Sequence, residues 1–374
     1  MDDLRYWLGF NLVHGIGPVR LQVLLNAFGS ISAAWEASFA QLEEVGLDRR
    51  SLRNFLKVRQ QVDLDGVVTK IEEAGVQVLT WESAGYPSLL RQIPDAPPVL
   101  FIKGELKPAD EWAVAIVGTR KASVYGREVA RRLAGELARN GITIVSGLAR
   151  GIDGVAHQSA LEAGGRTLAV FGCGVDHVYP SEHRGLAEEI VKHGALISDF
   201  PLGTRPEAKN FPPRNRIISG LSLGTVVVEA GLRSGALITA DFAADQGREV
   251  FAVPGNIFNR GSKGCNRLIR DGAAVVTEVR DILETLHLDQ LAEKQVAREI
   301  LPENATEATI LQHLSHEPCH VDAISRSTDL PVEIISSTLI MMELKGMVRQ
   351  VGGLQYVVAR EASEVYDTAG DTTA

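Results

Sequence analysis

The pattern of apolar and polar positions changes character three times along the chain. Up to about Leu64 the apolar residues recur at helical spacing in short runs, which predicts a set of small helices. Within it, "HGIGPVRLQVLLNAFGS" sets Gly15-Ile16-Gly17-Pro18 between two apolar helical stretches. That is the form of a helix-hairpin-helix element, and equally of an ordinary helical turn that uses glycine. "EEVGLDRRSLRNFL" reads as a degenerate second copy. Val76–Trp81 then predicts a strand, and "YPSLLRQIPDAPPVLFIKG" reads as extended and proline-rich.

From Trp112 the pattern becomes regular. "AVAIVGTR" is a buried strand, and "VYGREVARRLAGELARNG" is an amphipathic helix closed by Asn140-Gly141. "ITIVSGL", "RTLAVFGCG", "ALISDFP", "GTVVVEAG", "EVFAVPG" and "AAVVTEV" continue the strands, with helices between them. Near-continuous Val/Ile/Ala strands alternating with helices predict a parallel sheet covered on both faces. Beyond Pro302 the pattern changes again. Helices around Ile310–His316, Val321–Arg326 and Val332–Lys345, followed by two strands about Gly352-Gly353, look like a winged helix. The third of these helices carries Glu333, Glu343 and only Lys345, a charge set that favours protein contact over a major groove. The expected fold class is therefore α/β. A helical domain (1–70) leads into an extended Rossmann-like domain (71–288). A linker (289–305), a winged-helix-like domain (306–360) and a disordered tail (361–374) follow.

Composition narrows the function. The 374 residues carry a formal net charge of −9, which argues against indiscriminate attraction to nucleic acid or anionic membrane but not against a local basic site. The acidic start "MDDLRYWLGF" shows no signal-peptide pattern, and no apolar run reaches the roughly 20 residues of a membrane span. Three cysteines, Cys173, Cys265 and Cys319, lie far apart, giving neither a disulfide framework nor a CxxC zinc motif. A reducing cytoplasm fits these features.

Parallel sheets place ligands at the carboxyl ends of their strands, so those loops carry the candidate chemistry. "VGTRKASVYG" lacks GxGxxG and so a dinucleotide fingerprint, but offers Gly118 and a projecting Arg120. "VSGLARGIDGVAHQSAL" offers Ser146, Gly147 and Gly151 as an anion nest, and Asp153 and His157 four residues apart. The latter two read as an acid–base pair or as a cap and a packed histidine. "VEAGLRSGALITA" supplies Glu229, Ser234 and Thr239, and "GSKGCNRLIRDGA" supplies Lys263, Arg267 and Arg270. The densest signal is "KNFPPRNRIISGLS". Phe211 offers a ring for base stacking, Lys209, Arg214 and Arg216 offer charge for phosphates, and Pro213 sits at the expected first helical position, ahead of Arg214-Asn215-Arg216. The other reading buries Phe211 beneath the loop and pairs the arginines with acids such as Glu207.

Together these motifs resemble those of the DNA-processing protein A (DprA/Smf) family, in the family's order from about Tyr86 to Ala274. The resemblance implies an extended Rossmann-like domain that binds single-stranded DNA without a cofactor. It further implies a homodimer through that domain, loading of RecA recombinase onto incoming strands, and a role in natural transformation. By motif, Arg120 and the basic and aromatic residues of Lys209–Arg216 would contact the strand. Ala208 stands where the family often has its lysine, with Lys209 one position later. Two other readings remain from the residues alone. One is a nucleotide or nucleoside phosphoribohydrolase-like enzyme using Glu229 as acid or base, although the PGGxGTxxE stretch expected of it is replaced by "VVVEAGLRSGALIT". The other is a duplex-reading regulator acting through the tail.

Overall fold

The computed structural model describes residues 3–288, 304–315, 318–328, 330–344 and 347–358. Most of the expected linker and the whole expected tail lie outside them. The chain divides into two units, Met1–Leu288 and Asp289–Ala374.

The first unit opens with six helices: α1 Leu4–Asn11, α2 Pro18–Phe28, α3 Ile31–Glu36, α4 Phe39–Glu44, α5 Arg49–Gln61 and α6 Leu64–Glu73. The two glycine-containing turns suggested by the sequence sit at the starts of α2 and α5 and clasp each other. Ser51 Oγ donates to the Gly15 carbonyl at 3.3 Å, Asn54 Nδ2 donates to the His14 carbonyl at 2.7 Å, and Arg20 pairs with Asp48 at 2.8 Å. The Gly15 carbonyl thus faces α5, its partner hairpin.

Nine strands follow: β1 Gln77–Thr80, β2 Val99–Gly104, β3 Ala113–Val117, β4 Thr143–Ser146, β5 Thr167–Val170, β6 Ala195–Ser198, β7 Gly224–Val227, β8 Glu249–Ala252 and β9 Ala274–Val275. Their order is β1-β2-β6-β5-β4-β3-β7-β8-β9. The seven from β6 to β9 are parallel, as the buried Val/Ile/Ala runs predict. The expectation of a wholly extended, proline-rich approach is corrected. That segment contains a short helix, α7 Ser88–Arg91, and the strand β2, which pairs antiparallel with both β1 and β6. "VLFIKG" is an apolar run of strand length directly behind "PDAPP", and prolines at its entry do not prevent pairing.

Between the strands lie α8 Val124–Arg139, α9 Ile152–Glu162, α10 Arg184–His193, α11 Phe211–Gly220, α12 Gly235–Asp245 and α13 Lys263–Arg270; α14 Val279–Thr285 comes after β9. Helix α8 shows how sequence sets an element. Ser123 Oγ caps its start by accepting from Gly126 N at 3.0 Å, and Ala130, Leu133, Ala134 and Leu137 form the buried stripe. Successive β6 residues point to opposite faces: Leu196 joins an apolar cluster shared with α10 and the N-terminal helices, while Ile197 joins the one shared with α11 and α12. The sheet is therefore buried on both sides. Among the described residues no helix is long and apolar enough to cross a membrane.

In the second unit α15 Ala305–Gln312, α16 Val321–Thr328 and α17 Val332–Leu344 pack with a three-stranded sheet ordered β10 Cys319–His320, β12 Gln355–Val358, β11 Val348–Gly352. Ile310, Ile324, Ile335, Leu339, Met342 and Tyr356 fill its core. Three helices and a hairpin make a winged helix.

Candidate nucleic-acid interface

Strand order reverses at β3: the chain moves from it through β4, β5 and β6 to one side, and from β7 through β9 to the other. Ligands of open α/β sheets bind at such a switch point. Arg120 is exposed there, just past β3. Its guanidinium lies 5.6 Å from the centre of the Phe211 ring. Gly151 makes room for the loop that holds it. With φ at +78°, a Cβ at this position would stand 2.3 Å from the Thr119 carbonyl oxygen and 2.9 Å from that of Arg120, so a larger residue would push the two loops apart.

Phe211 is half-buried. One edge rests against Gly172, just past β5, where an added Cβ would lie 3.0 Å from its Cδ1. The Tyr179 ring tilts against it at 5.6 Å between centroids. The ring is held at the edge of the sheet, not sealed within it. Tyr179 was absent from the sequence-derived candidates, although the aromatic in "FGCGVDHVYP" shortly after a strand end is the signal that points to it.

The helix after Phe211 starts earlier than expected. It begins at Phe211 itself, so Pro212 and Pro213 occupy its second and third positions and contribute no N–H. Few free donors remain there for an anion. Arg214 and Arg216 fall in the interior of the helix, at 4% and 8% exposure. This corrects the expectation that both reach solvent. Arg214 donates to the carbonyls of Gly147 (3.0 Å) and Val170 and to Asn215 Oδ1 (3.2 Å). Burial pulls its guanidinium down to about 10, against the opposing field of Asp153. Arg216 pairs with Asp199 at 2.9 Å and Asp95 at 3.1 Å and donates to the carbonyls of Asp95 and Pro213. The two cations belong to the floor under the edge.

Asn215, Ser146 and Gly147 are corrected in the same way. Asn215 donates to the Gly235 carbonyl at 3.3 Å, fixing α11 to α12. Ser146 Oγ donates to the Ile116 carbonyl at 2.6 Å, and the Gly147 N–H donates to Asp153 at 3.2 Å. The Gly147 N–H is therefore committed to Asp153 and not free for a phosphate. Asp153 also accepts from Ala149 N at 3.3 Å, and burial raises its carboxyl against the pull of Arg214. His157 is fully buried, with Nδ1 at 2.6 Å from Thr167 Oγ1. Thr167 spends its one hydroxyl proton on the Ile144 carbonyl at 2.8 Å, so its oxygen accepts from Nδ1–H. The remaining Nε2 has no hydrogen-bond partner among the described residues, and burial holds the ring's pKa down at about 3. The two are a carboxylate that ties the loop before its helix and a packed histidine, and they form no mutual hydrogen bond. Glu229 is spoken for as well: its Oε2 accepts from Ser123 N at 2.9 Å and Oγ at 3.0 Å, tying the β7 loop to the β3 loop.

The cations that face outward are others. Lys209 is exposed and paired with Glu207 at 2.8 Å, Lys263 is exposed, and Arg267 is partly covered and stands 3.8 Å from Asp271. Lys121, next to Arg120, is exposed too. The edge therefore carries a stacked ring, flanking cations and a neutralised interior.

Comparison with known proteins shows the family. Residues 77–287 match the family described as DNA recombination-mediator protein A, and residues 294–353 match the DprA winged helix domain. Protein Smf of Escherichia coli is 40% identical over 378 residues, covering 98% of this chain and 99% of that protein. DNA processing protein DprA of Bacillus subtilis is 44% identical over 224 residues, 60% of this chain and 75% of its own length. The X-ray structure of DNA processing protein A from Streptococcus pneumoniae superposes with a TM-score of 0.67 at 35% identity, covering 76% of this chain and 97% of that one. The Helicobacter pylori protein, solved for its single-stranded DNA binding mode, gives 0.51 at 31% identity over 57% of this chain and 97% of its own. With its sheet domain matched over 77–287 and full-length relatives on either side of that span, the chain belongs to the DNA processing protein A (DprA/Smf) family.

Proposed function

We propose that the protein binds single-stranded DNA along the carboxyl edge of its sheet and loads RecA recombinase onto it in natural transformation and homologous recombination, without catalysis. In this reading it acts in the cytoplasm as a homodimer joined through the sheet domain. One observation carries the binding role: the half-buried Phe211 ring with Arg120 over it at the switch point. An unpaired base can turn onto such a ring while its phosphate meets the guanidinium, whereas a base within a duplex cannot. The described single-strand binding mode of the H. pylori relative supports the same ligand. The net charge of −9 suppresses binding elsewhere on the surface.

The test is titration of labelled single- and double-stranded oligonucleotides at several salt concentrations. Phe211→Ala is expected to weaken single-strand binding by about 1–3 kcal/mol with little change in salt slope. Arg120→Ala is expected to reduce the log–log slope by about 0.7. Unchanged affinity in both variants sinks the proposed site.

A further inference from the structure

The loop after β8 holds two large apolar side chains in solvent: Ile257 is 71% exposed and Phe258 87%. Such a pair buries almost nothing within the chain, so folding does not account for it. The loop is nonetheless firmly built. Asn266 brackets Gly255, accepting from its N–H at 3.1 Å and donating to its carbonyl at 2.9 Å. Asn256 accepts from the Phe258 N–H at 2.9 Å, and Asn259 accepts from the Gly261 N–H at 2.9 Å. The Phe258 ring is thus presented on an ordered turn, which lowers the entropy lost when something packs on it.

A continuous line of contacts joins this loop to the Phe211 site. Arg120 stands over Phe211; its neighbour Thr119 donates its N–H to the Glu229 carbonyl at 2.7 Å; the Ala230 carbonyl accepts from Gly264 N at 2.7 Å, and an added Cβ on Gly231 would lie 3.3 Å from the Arg260 carbonyl oxygen. The same stretch carries Arg233, Arg260 and Lys263, all exposed and with no ion pair to any described residue. Phe211 rests at the end of β5 and the Phe258 loop follows β8; those two strands are four strand spacings apart in the sheet, or about 19 Å. At roughly 3.4 Å per stacked nucleotide that distance covers about six bases, and fewer if the strand is drawn out.

We infer that Phe258 is a second stacking platform for single-stranded DNA, with Arg260 and Lys263 taking the phosphates beside it, so that one strand runs from Phe211 across Arg120 to the β8 loop. This inference rests on the proposed single-strand binding. Cations flanking an exposed ring suit a nucleic acid better than an apolar partner surface, which would leave those charges unsolvated and unpaired.

The test compares oligothymidylates of roughly 3 and roughly 12 nucleotides, the first too short to bridge the two rings when stacked. Phe258→Ala is expected to weaken the longer strand by about fivefold or more and to leave the shorter one unchanged, while Phe258→Trp restores the longer strand and Phe211→Ala weakens both. If Phe258→Ala binds both lengths like the wild type while Phe211→Ala is weakened, the second platform is overturned and the first site stands. If neither variant changes binding, the single-strand reading of this edge falls with it. If Phe258→Ala alters only the oligomeric state at rising protein concentration, the loop is a contact between copies and the inference is likewise overturned.

Discussion

Arg214 and Arg120 both approach one ring, their guanidinium carbons 5.9 Å and 5.6 Å from the Phe211 centroid, yet they live in different solvents. Arg120 faces water and meets no described carboxylate. Arg214 is surrounded by the carbonyls of Gly147 and Val170 and the field of Asp153. The first keeps its charge free for a phosphate. The second has exchanged its hydration for fixed protein dipoles and holds the ends of β4 and β5 together beneath the ring. Equal charges in adjacent positions therefore do opposite work, and burial alone separates them.

The largest expected effect breaks the inner member. Arg214→Ala strips the donor from two buried carbonyls and leaves Asp153 without its strongest positive neighbour. Removing one partner of such a buried arrangement costs on the order of 3–5 kcal/mol of folding stability. Chemical denaturation is expected to show a lowered midpoint, with loss of DNA binding that follows loss of fold. A variant with wild-type stability and reduced binding would place Arg214 on the strand after all.

A second effect, about 2 kcal/mol at pH 5, tests how dry the floor is. His157 has its pKa held at about 3 by burial, with His183 and Arg214 pushing the same way, against 6.5 in the unfolded chain. Below pH 6.5 the unfolded state takes up a proton that the folded state refuses. The stability is therefore complete above pH 6.5 and drains away as the pH falls toward 3, by about 1.4 kcal/mol per unit. Asp153 works in the opposite direction, because its raised pKa lets the folded state bind a proton more readily. Subtracting the curve for His157→Gln removes that shared contribution. The difference is expected to grow steadily from pH 6.5 to 5; a flat difference would mean that water reaches Nε2.

How much of this is legible in the sequence depends on whether neighbours in the chain decide it. The parallel strands and α8 follow from local period and capping, so "AVAIVGTR" and "VYGREVARRLAGELARNG" announce themselves. Strand β2 does not, because its pairing with β1 and β6 is a tertiary fact and its entry is rich in proline. Of the candidate site, Arg120 and Phe211 are found from their motifs, and the structure brings them together. The inward turn of Arg214 and Arg216 is hidden, since their partners Gly147, Val170, Asp95 and Asp199 lie 17 to 121 residues away. Charge in a sequence gives a count; facing requires the fold.

The smallest effect sharpens the outer side of the comparison. Lys209 lies only five residues before Arg214, yet its side chain is 76% exposed and, among the described residues, its ion pair is with the likewise exposed Glu207 at 2.8 Å. A pair of this kind adds little to folding, so Lys209→Ala is expected to change stability by less than about 0.5 kcal/mol. Its charge is free to leave Glu207 for a phosphate, which is a better acceptor at the edge of an occupied site. Loss of that one contact is expected to lower the log–log salt slope for single-stranded DNA by about 0.7 and to weaken binding least where salt is already high. Lys209→Arg is then expected to restore the slope, since the charge and not the shape carries the contact. Should Lys209→Ala leave the slope untouched while Arg120→Ala reduces it, the strand passes over β3 without descending to the start of α11, and exposure by itself is not enough to make a cation part of the site.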